Sequence, residues 1–316
     1  MDNGLYPQER EALIAAAKAA SSISSAWFEK ARASENPDKV LHTIHKKGDF
    51  RTLGYQDVFT QADIDTEDEI LGILKSCRDI LIVSEEKNPL CPEVPDVTQR
   101  WLVDPIDGTS QFKQGKEAFS VTLALQTKRD GEWVTDIGVV AVPMKNSIYV
   151  ADDRGAAKII GDNTEAINVT SPCPIQAFVG SRSKALRGKL IENVVYSHSN
   201  PILMKTHHPF REALKTSGAN VSTTYSSALV HVEMVERDGV DAIVLAGSAL
   251  DFAWDTDAAF HIGHKAGLSS KKFELDGEPV VIFAKDPSTI PALEVTLRDT
   301  YYVQKLNAAQ NPVHNR

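Results

Sequence analysis

The run Trp101-Leu102-Val103-Asp104-Pro105-Ile106-Asp107-Gly108-Thr109 decides how the rest of the chain is read. Apolar residues lead into an acid, and a second acid follows three positions later with a fixed proline between them. Two carboxylates so spaced can face one pocket, and the bend can expose a backbone carbonyl. Gly108-Thr109 predicts the opening of a short helix, whose free N–H groups can bind phosphate. Mg²⁺ takes oxygen ligands in octahedral geometry and usually keeps several waters. Metal ligands beside an anion-binding helix start are what phosphate-ester hydrolysis requires. Taken alone, Asp-x-x-Asp is more often a solvated turn, and Asp-Gly-Thr a helix cap.

Three other acidic elements shift that balance. Glu85-Glu86 follows Ser84, Asp255 follows Trp254, and Asp63 ends Thr60-Gln61-Ala62-Asp63. Asp104 and Asp255 both sit in apolar surroundings, where an unpaired carboxylate is costly. His207-His208 is better read as a loop or cap. His261 and His264 share a helix face but have no third ligand of matching spacing, and Ser226-Ser227 reads as a cap before an amphipathic helix.

The chain has 316 residues, 42% hydrophobic and 24% charged, with a net charge of -9. That is ordinary globular composition, with length for two domains. The acidic balance argues against a nucleic-acid polymer as partner. A phosphate substrate would need local cations to reverse the field. Cys77, Cys91 and Cys173 are few, odd in number and widely spaced, so neither a disulfide framework nor a cysteine zinc site is expected. Reduced thiols fit a cytoplasmic setting. No basic run precedes an apolar core at the N-terminus, and no stretch of about 18 apolar residues occurs, so neither a signal peptide nor a membrane span is expected.

Leu13, Ala16, Ala20, Ile23, Trp27 and Ala31 form one helical stripe after Pro7. Residues 35–55 read as a loop. A second helix is expected from about Thr66, with Thr66 and Glu69 at capping-box spacing. Ile80 to Val83 reads as a buried strand. Phe119, Val121, Leu123 and Leu125 alternate with Ser120, Thr122, Ala124 and Gln126, and further strands follow at Ile137–Val142 and Ser147–Ala151, making a meander. From about Thr164, short apolar runs alternate with helical patterns, which predicts an α/β second half. The expected division is therefore 1–165, carrying most of the acids, and 166–316, carrying Asp255.

These residues resemble the inositol monophosphatase superfamily. The run from Trp101 to Thr109 is similar to its first signature, Ser84-Glu85-Glu86 to its upstream acidic pair, and Trp254-Asp255-Thr256 with Ala258-Ala259 to its C-terminal signature. Thr60-Gln61-Ala62-Asp63 resembles its early Thr-x-Ala/Thr-Asp element. The resemblance spans about residues 8–285. It implies a layered αβαβα sandwich, an N-terminal antiparallel sheet with helices plus a C-terminal α/β half, Mg²⁺ dependence and sensitivity to Li⁺. It implies that Glu85, Asp104 and the Ile106 carbonyl ligate one Mg²⁺, and Asp104, Asp107 and Asp255 a second, with a third, weaker ion near Glu85. Asp63 would pair with the Thr109 hydroxyl to orient and deprotonate the attacking water, and the Gly108 and Thr109 amides would hold the phosphate. Asp257 departs from the family pattern and is read as a helix residue facing away. A monomer or a homodimer is compatible with the family.

Two substrates compete, both small phosphate esters. Phe112 and Phe119 stand at a spacing that resembles the 3'(2'),5'-bisphosphate nucleotidases, and Gly180-Ser181-Arg182-Ser183 resembles a segment of that branch. Ser181 and Arg182 would then meet the substrate, Arg182 by gripping a second phosphate in a bidentate fork. Tyr225-Ser226-Ser227-Ala228-Leu229 replaces an element that carries a lysine in that branch, which leaves inositol 1-phosphate or another sugar or cyclitol phosphate as the alternative. A metal-binding protein that has lost catalysis is disfavoured, because Asp63 and Thr109 are both present.

Overall fold

The computed structural model describes residues 4–45, 58–87, 97–169, 193–198, 220–223, 242–246, 253–275 and 278–310. In chain order these form α1 (Pro7–Arg32), α2 (Pro37–Val40), β1 (Ile44–His45), β2 (Val58–Phe59), α3 (Gln61–Cys77), β3 (Leu81–Ser84), β4 (Gln99–Asp107) and α4 (Thr109–Lys113). There follow β5 (Ser120–Arg129), β6 (Glu132–Val142), a 3-10 turn (Pro143–Lys145), β7 (Ser147–Asp152), β8 (Gly155–Ile160), β9 (Asn163–Ile167), β10 (Asn193–His198), β11 (Asn220–Thr223) and β12 (Ala242–Ala246). The last elements are α5 (Ala253–Ala266), β13 (Ser269–Leu275), β14 (Glu278–Ala284) and α6 (Thr289–Gln310).

The chain divides into two compact units, and the division is not a single cut. The first holds the described residues up to Asn168 and takes back the later helix α5; the second holds β10–β14 and α6. Asp255, at the start of α5, therefore belongs with Asp104 and Glu85 in the first unit.

In the first unit β3 to β9 form one seven-stranded sheet in sequence order. β3 and β4 pair in parallel and every later neighbour is antiparallel. The strict alternation of β5 explains what covers the sheet. Val121, Leu123 and Leu125 enter one core with Leu13, Ala16, Ala20, Ile70 and Leu74 of α1 and α3. The opposite set, Ser120, Thr122, Ala124 and Gln126, turns to the other face, where Gln126 donates to Asp257 of α5 at 2.7 Å. Among the described residues, no helix is long and apolar enough to cross a membrane.

Glycine decides how closely α5 can lie. A Cβ built on Gly138 of β6 would stand 2.6 Å from the Ala258 carbonyl oxygen and 3.0 Å from its Cα. Gly138→Ala is expected to push α5 off the sheet and to lower stability by about 1–3 kcal/mol. Thermal melting checks it, and a melt equal to wild type would contradict the close packing.

Three local expectations are corrected. The stripe on α1 rotates: Leu13, Ala16, Ala20 and Ala31 are buried, but Ser24 and Phe28 are buried in place of Ile23 and Trp27. Phe28 joins Phe112 and Phe119 in a second aromatic core, with ring centroids 4.9–5.6 Å apart, while the Trp27 indole N–H donates to Asp65 at 3.1 Å. α3 starts at Gln61, not near Thr66, because Thr60 caps it and Asp63 returns the bond, a capping box one turn and a half earlier. Within residues 35–55, a short helix (α2) and the two-residue strand β1 interrupt the expected loop.

The second unit has a mixed five-stranded sheet in the order β11-β10-β12-β14-β13. β10 is parallel to both β11 and β12, whereas β14 runs antiparallel to β12 and β13. α6 packs against β13 and β14.

Candidate active site

Asp104 and Asp107 are three apart, so on a regular strand they would point to opposite faces. They do not, because β4 carries a bulge between them. Asp104 pairs with Thr122 and Asp107 with Ser120, so three steps on β4 match two on β5. The additional residue restores both carboxylates to one face, and Pro105 sits in that irregularity, where a strand tolerates it. Ile106 N–H donates to Asp104 Oδ1 at 3.0 Å, closing the bend, and Ser120 Oγ donates to Asp107 Oδ2 at 3.1 Å.

Asp104 is 1% exposed. Burial pushes its carboxyl well above the ordinary range, and the charges of Glu85, Asp107 and Asp255 push the same way; Glu85 also lies within hydrogen-bonding reach. Three of the acids predicted from separate motifs thus act on the fourth, Asp104. Among the described residues, no three His, Cys, Asp or Glu side chains are drawn together tightly enough to hold an ion as they stand. The chemistry of the donor set nonetheless suits a hard divalent cation: carboxylate oxygens at Asp104, Asp107, Glu85 and Asp255, and one carbonyl at Ile106. Like charges a few ångströms apart oppose one another by about 1–4 kcal/mol per pair near a protein surface, and a cation among them reverses that sign.

At the end of β4 the backbone turns on Gly108, whose φ of +93° lies in the left-handed region that glycine tolerates. α4 starts there without a side-chain cap, which leaves its first N–H groups without partners inside the helix. Thr109, its first residue, links two parts of the site. Its Oγ1 lies 3.0 Å from the Ile106 carbonyl oxygen and 3.2 Å from Asp63 Oδ1. One hydroxyl proton serves only one of these acceptors at a time.

Asp63 is fully buried. Burial raises its pKa from 3.8 to about 6, against the pull of Thr60 and Thr109, which favour the ionised form. Thr60 N–H and Oγ1 donate to Oδ2 at 2.7 and 2.6 Å. The capping box of α3 is therefore also the cradle of Asp63.

Asp257 packs on the sheet from α5. Gln126 bridges it to Thr135 at 3.0 Å and to Arg100 at 2.8 Å, so the residue keys α5 to the sheet. His261 lies on the same helix with its ring partly buried, which lowers its pKa to about 4. Ser120 carries no motif of its own; only its pairing opposite Asp107 identifies it. Ser181, Arg182, the 46–55 segment, His207-His208 and the 225–231 element lie outside the described residues.

The inositol monophosphatase family description matches residues 8–307. The chain is 29% identical to Nus factor SuhB of Haemophilus influenzae, over 68% of this chain and 71% of that one. It is 27% identical to an inositol-1-monophosphatase of Mesorhizobium japonicum, over 64% and 65%. Among solved structures, an inositol monophosphatase from Anabaena shares the fold at a TM-score of 0.62 and 18% identity, covering 92% of this chain and 95% of that one. CysQ from Bacteroides thetaiotaomicron, a bacterial member of the inositol monophosphatase family, does so at 0.57 and 19%, covering 88% and 97%. The chain belongs to the inositol monophosphatase family, a family of phosphoric monoester hydrolases.

Proposed function

We propose that this protein is a Mg²⁺-dependent phosphatase that hydrolyses a small phosphorylated metabolite by direct attack of water. The observation that carries the reading is Asp104: a buried carboxylate under the combined charge of Glu85, Asp107 and Asp255, on a bulge that ends beside an uncapped helix start. Glu85, Asp104 and the Ile106 carbonyl would hold one Mg²⁺, and Asp104, Asp107 and Asp255 a second, with a third, weaker ion near Glu85. Bound Mg²⁺ supplies a water of lowered pKa and neutralises charge on the ester.

The remaining work falls to the chain. The Ile106 carbonyl has two lone pairs, so it can ligate a cation and still face Thr109. With Asp63 ionised, the Thr109 hydroxyl donates to Asp63 and accepts from the attacking water, so that as the water gives a proton to Thr109 Oγ1 the hydroxyl proton passes to Asp63. The Gly108 and Thr109 amides orient the phosphoryl oxygens. Little covalent work is needed, since positioning and charge dominate phosphoryl transfer.

As substrate we favour an adenosine 3',5'-bisphosphate, on the Ser181-Arg182 segment and the Phe112–Phe119 spacing. The two rings themselves are core residues packed on Phe28, so the spacing bears on the length of the intervening segment and not on ring contact with substrate. The name of the Mesorhizobium relative favours a second reading, inositol 1-phosphate. Phosphate release from both esters, measured side by side with Mg²⁺, separates them. A higher kcat/KM for the nucleotide that falls in Arg182→Ala supports the first; a preference for the inositol ester contradicts it.

A further inference from the structure

One helical turn beyond Asp63, α3 carries a second buried acid, Glu67, with no exposed surface. Residues four apart share a helix face, so the two acids lie one above the other. A buried carboxylate is costly unless its oxygens are bonded, and burial raises the Glu67 carboxyl above its ordinary range. Its partners come from the end of β3, where the Ser84 side chain favours the ionised form, and from the turn that follows. Lys87 N–H donates to Oε1 at 3.2 Å, the Glu86 backbone also bonds to the carboxylate, and Lys87 Nζ stands 4.0 Å from Oε2. Lys87 Nζ is itself drawn to Asp68.

The turn held in this way is Glu85-Glu86-Lys87. It contains neither glycine nor proline, so its own sequence does little to fix its shape. At its start, Glu85 N–H donates to the Val103 carbonyl at 3.1 Å, one step beyond the β3–β4 ladder. At its far end Glu67 takes hold. Glu85, fixed between these anchors, is brought within hydrogen-bonding reach of Asp104.

We propose that Glu67 is a positioning residue whose buried carboxylate pins the 85–87 turn and so aims Glu85 at the metal site. The proposal rests on the reading of Glu85 as a metal ligand. It gives α3 two tasks on one face: Asp63 orients water, and Glu67 sets a ligand.

The test compares wild type, Glu67→Ala, Glu67→Gln, Glu85→Gln and the Glu67→Ala/Glu85→Gln double variant. Mg²⁺ affinity is read by titration calorimetry on metal-free protein, and phosphate release is followed against Mg²⁺ concentration. Glu67→Ala and Glu85→Gln are each expected to weaken Mg²⁺ binding by about 10–100-fold, the range for groups that orient a ligand. Substrate KM at saturating Mg²⁺ should hold. Glu67→Gln should stay close to wild type, because its amide oxygen still accepts from Lys87 N–H. In the Glu85→Gln background the Glu67 change should weaken binding no further. If Glu67→Ala does not fold, Glu67→Met, which fills the space without accepting the bond, carries the same expectation. Wild-type Mg²⁺ affinity in Glu67→Ala or Glu67→Met, or an equal loss with and without Glu85, overturns the proposal. Unchanged affinity in Glu85→Gln overturns the ligand reading, and this inference with it.

Discussion

Asp63→Asn is expected to melt higher than wild type above pH 6 while losing turnover by about 10²–10⁴-fold, the usual worth of a general base. The two effects share a cause. Asp63 is fully buried and its pKa in the folded protein is about 6, against 3.8 for the free side chain. A group with a raised folded pKa contributes stability below its unfolded pKa and loses it as pH rises through the folded value. About two pH units at 1.36 kcal/mol each set the cost of ionising Asp63 on the order of 3 kcal/mol at neutral pH. Asparagine carries no such cost. Its oxygen can accept both Thr60 donors and its amide can donate to Thr109 Oγ1, which then donates to Ile106. In EDTA, the gap between the two melting temperatures should open between about pH 4 and pH 6 and stay level above. A variant that melts below wild type at pH 8 would show that Asp63 is held as a stabilising anion instead.

Asp104→Asn should remove Mg²⁺ dependence altogether. Asp104 is the acid on which Glu85, Asp107 and Asp255 all act, so it is the residue both ions would share. Turnover should fall by about 10³-fold or more, the upper range for loss of one preorganised electrostatic group. In wild type, Mg²⁺ should raise the melting temperature, since a ligand that binds only the folded state stabilises it by mass action. In the variant that rise should vanish. Metal-free Asp104→Asn should melt no lower than wild type, because one of four crowded charges is gone. Retained wild-type kcat would refute the ligand assignment.

The acids of this site were legible because each sits in a run whose local geometry is nearly self-contained. Asp104 and Asp107 stand around a proline, Glu85 follows a short apolar strand, and Asp63 follows a capping threonine. Their mutual orientation was not legible, because it depends on pairing between distant segments. Only the register of β4 on β5 reveals the bulge that turns Asp104 and Asp107 to one face. Ser120 and Gln126 likewise read as the polar half of an alternating strand until their partners on β4 and α5 are known. Capping spacing misled at Thr66 because Thr60-x-x-Asp63 satisfies the same rule six residues earlier and wins by completing both bonds. The α1 stripe misled because Phe28 follows the Phe112–Phe119 pair, a contact no helical period encodes. Ser181 and Arg182, on which the proposed substrate choice rests, lie outside the described residues.

Phosphate release from a phosphate monoester, followed as Mg²⁺ is titrated into EDTA-treated wild type, tests the central claim most directly. The account predicts no release without the metal and a saturable rise with it, absent in Asp104→Asn. Equal release with EDTA alone would contradict it.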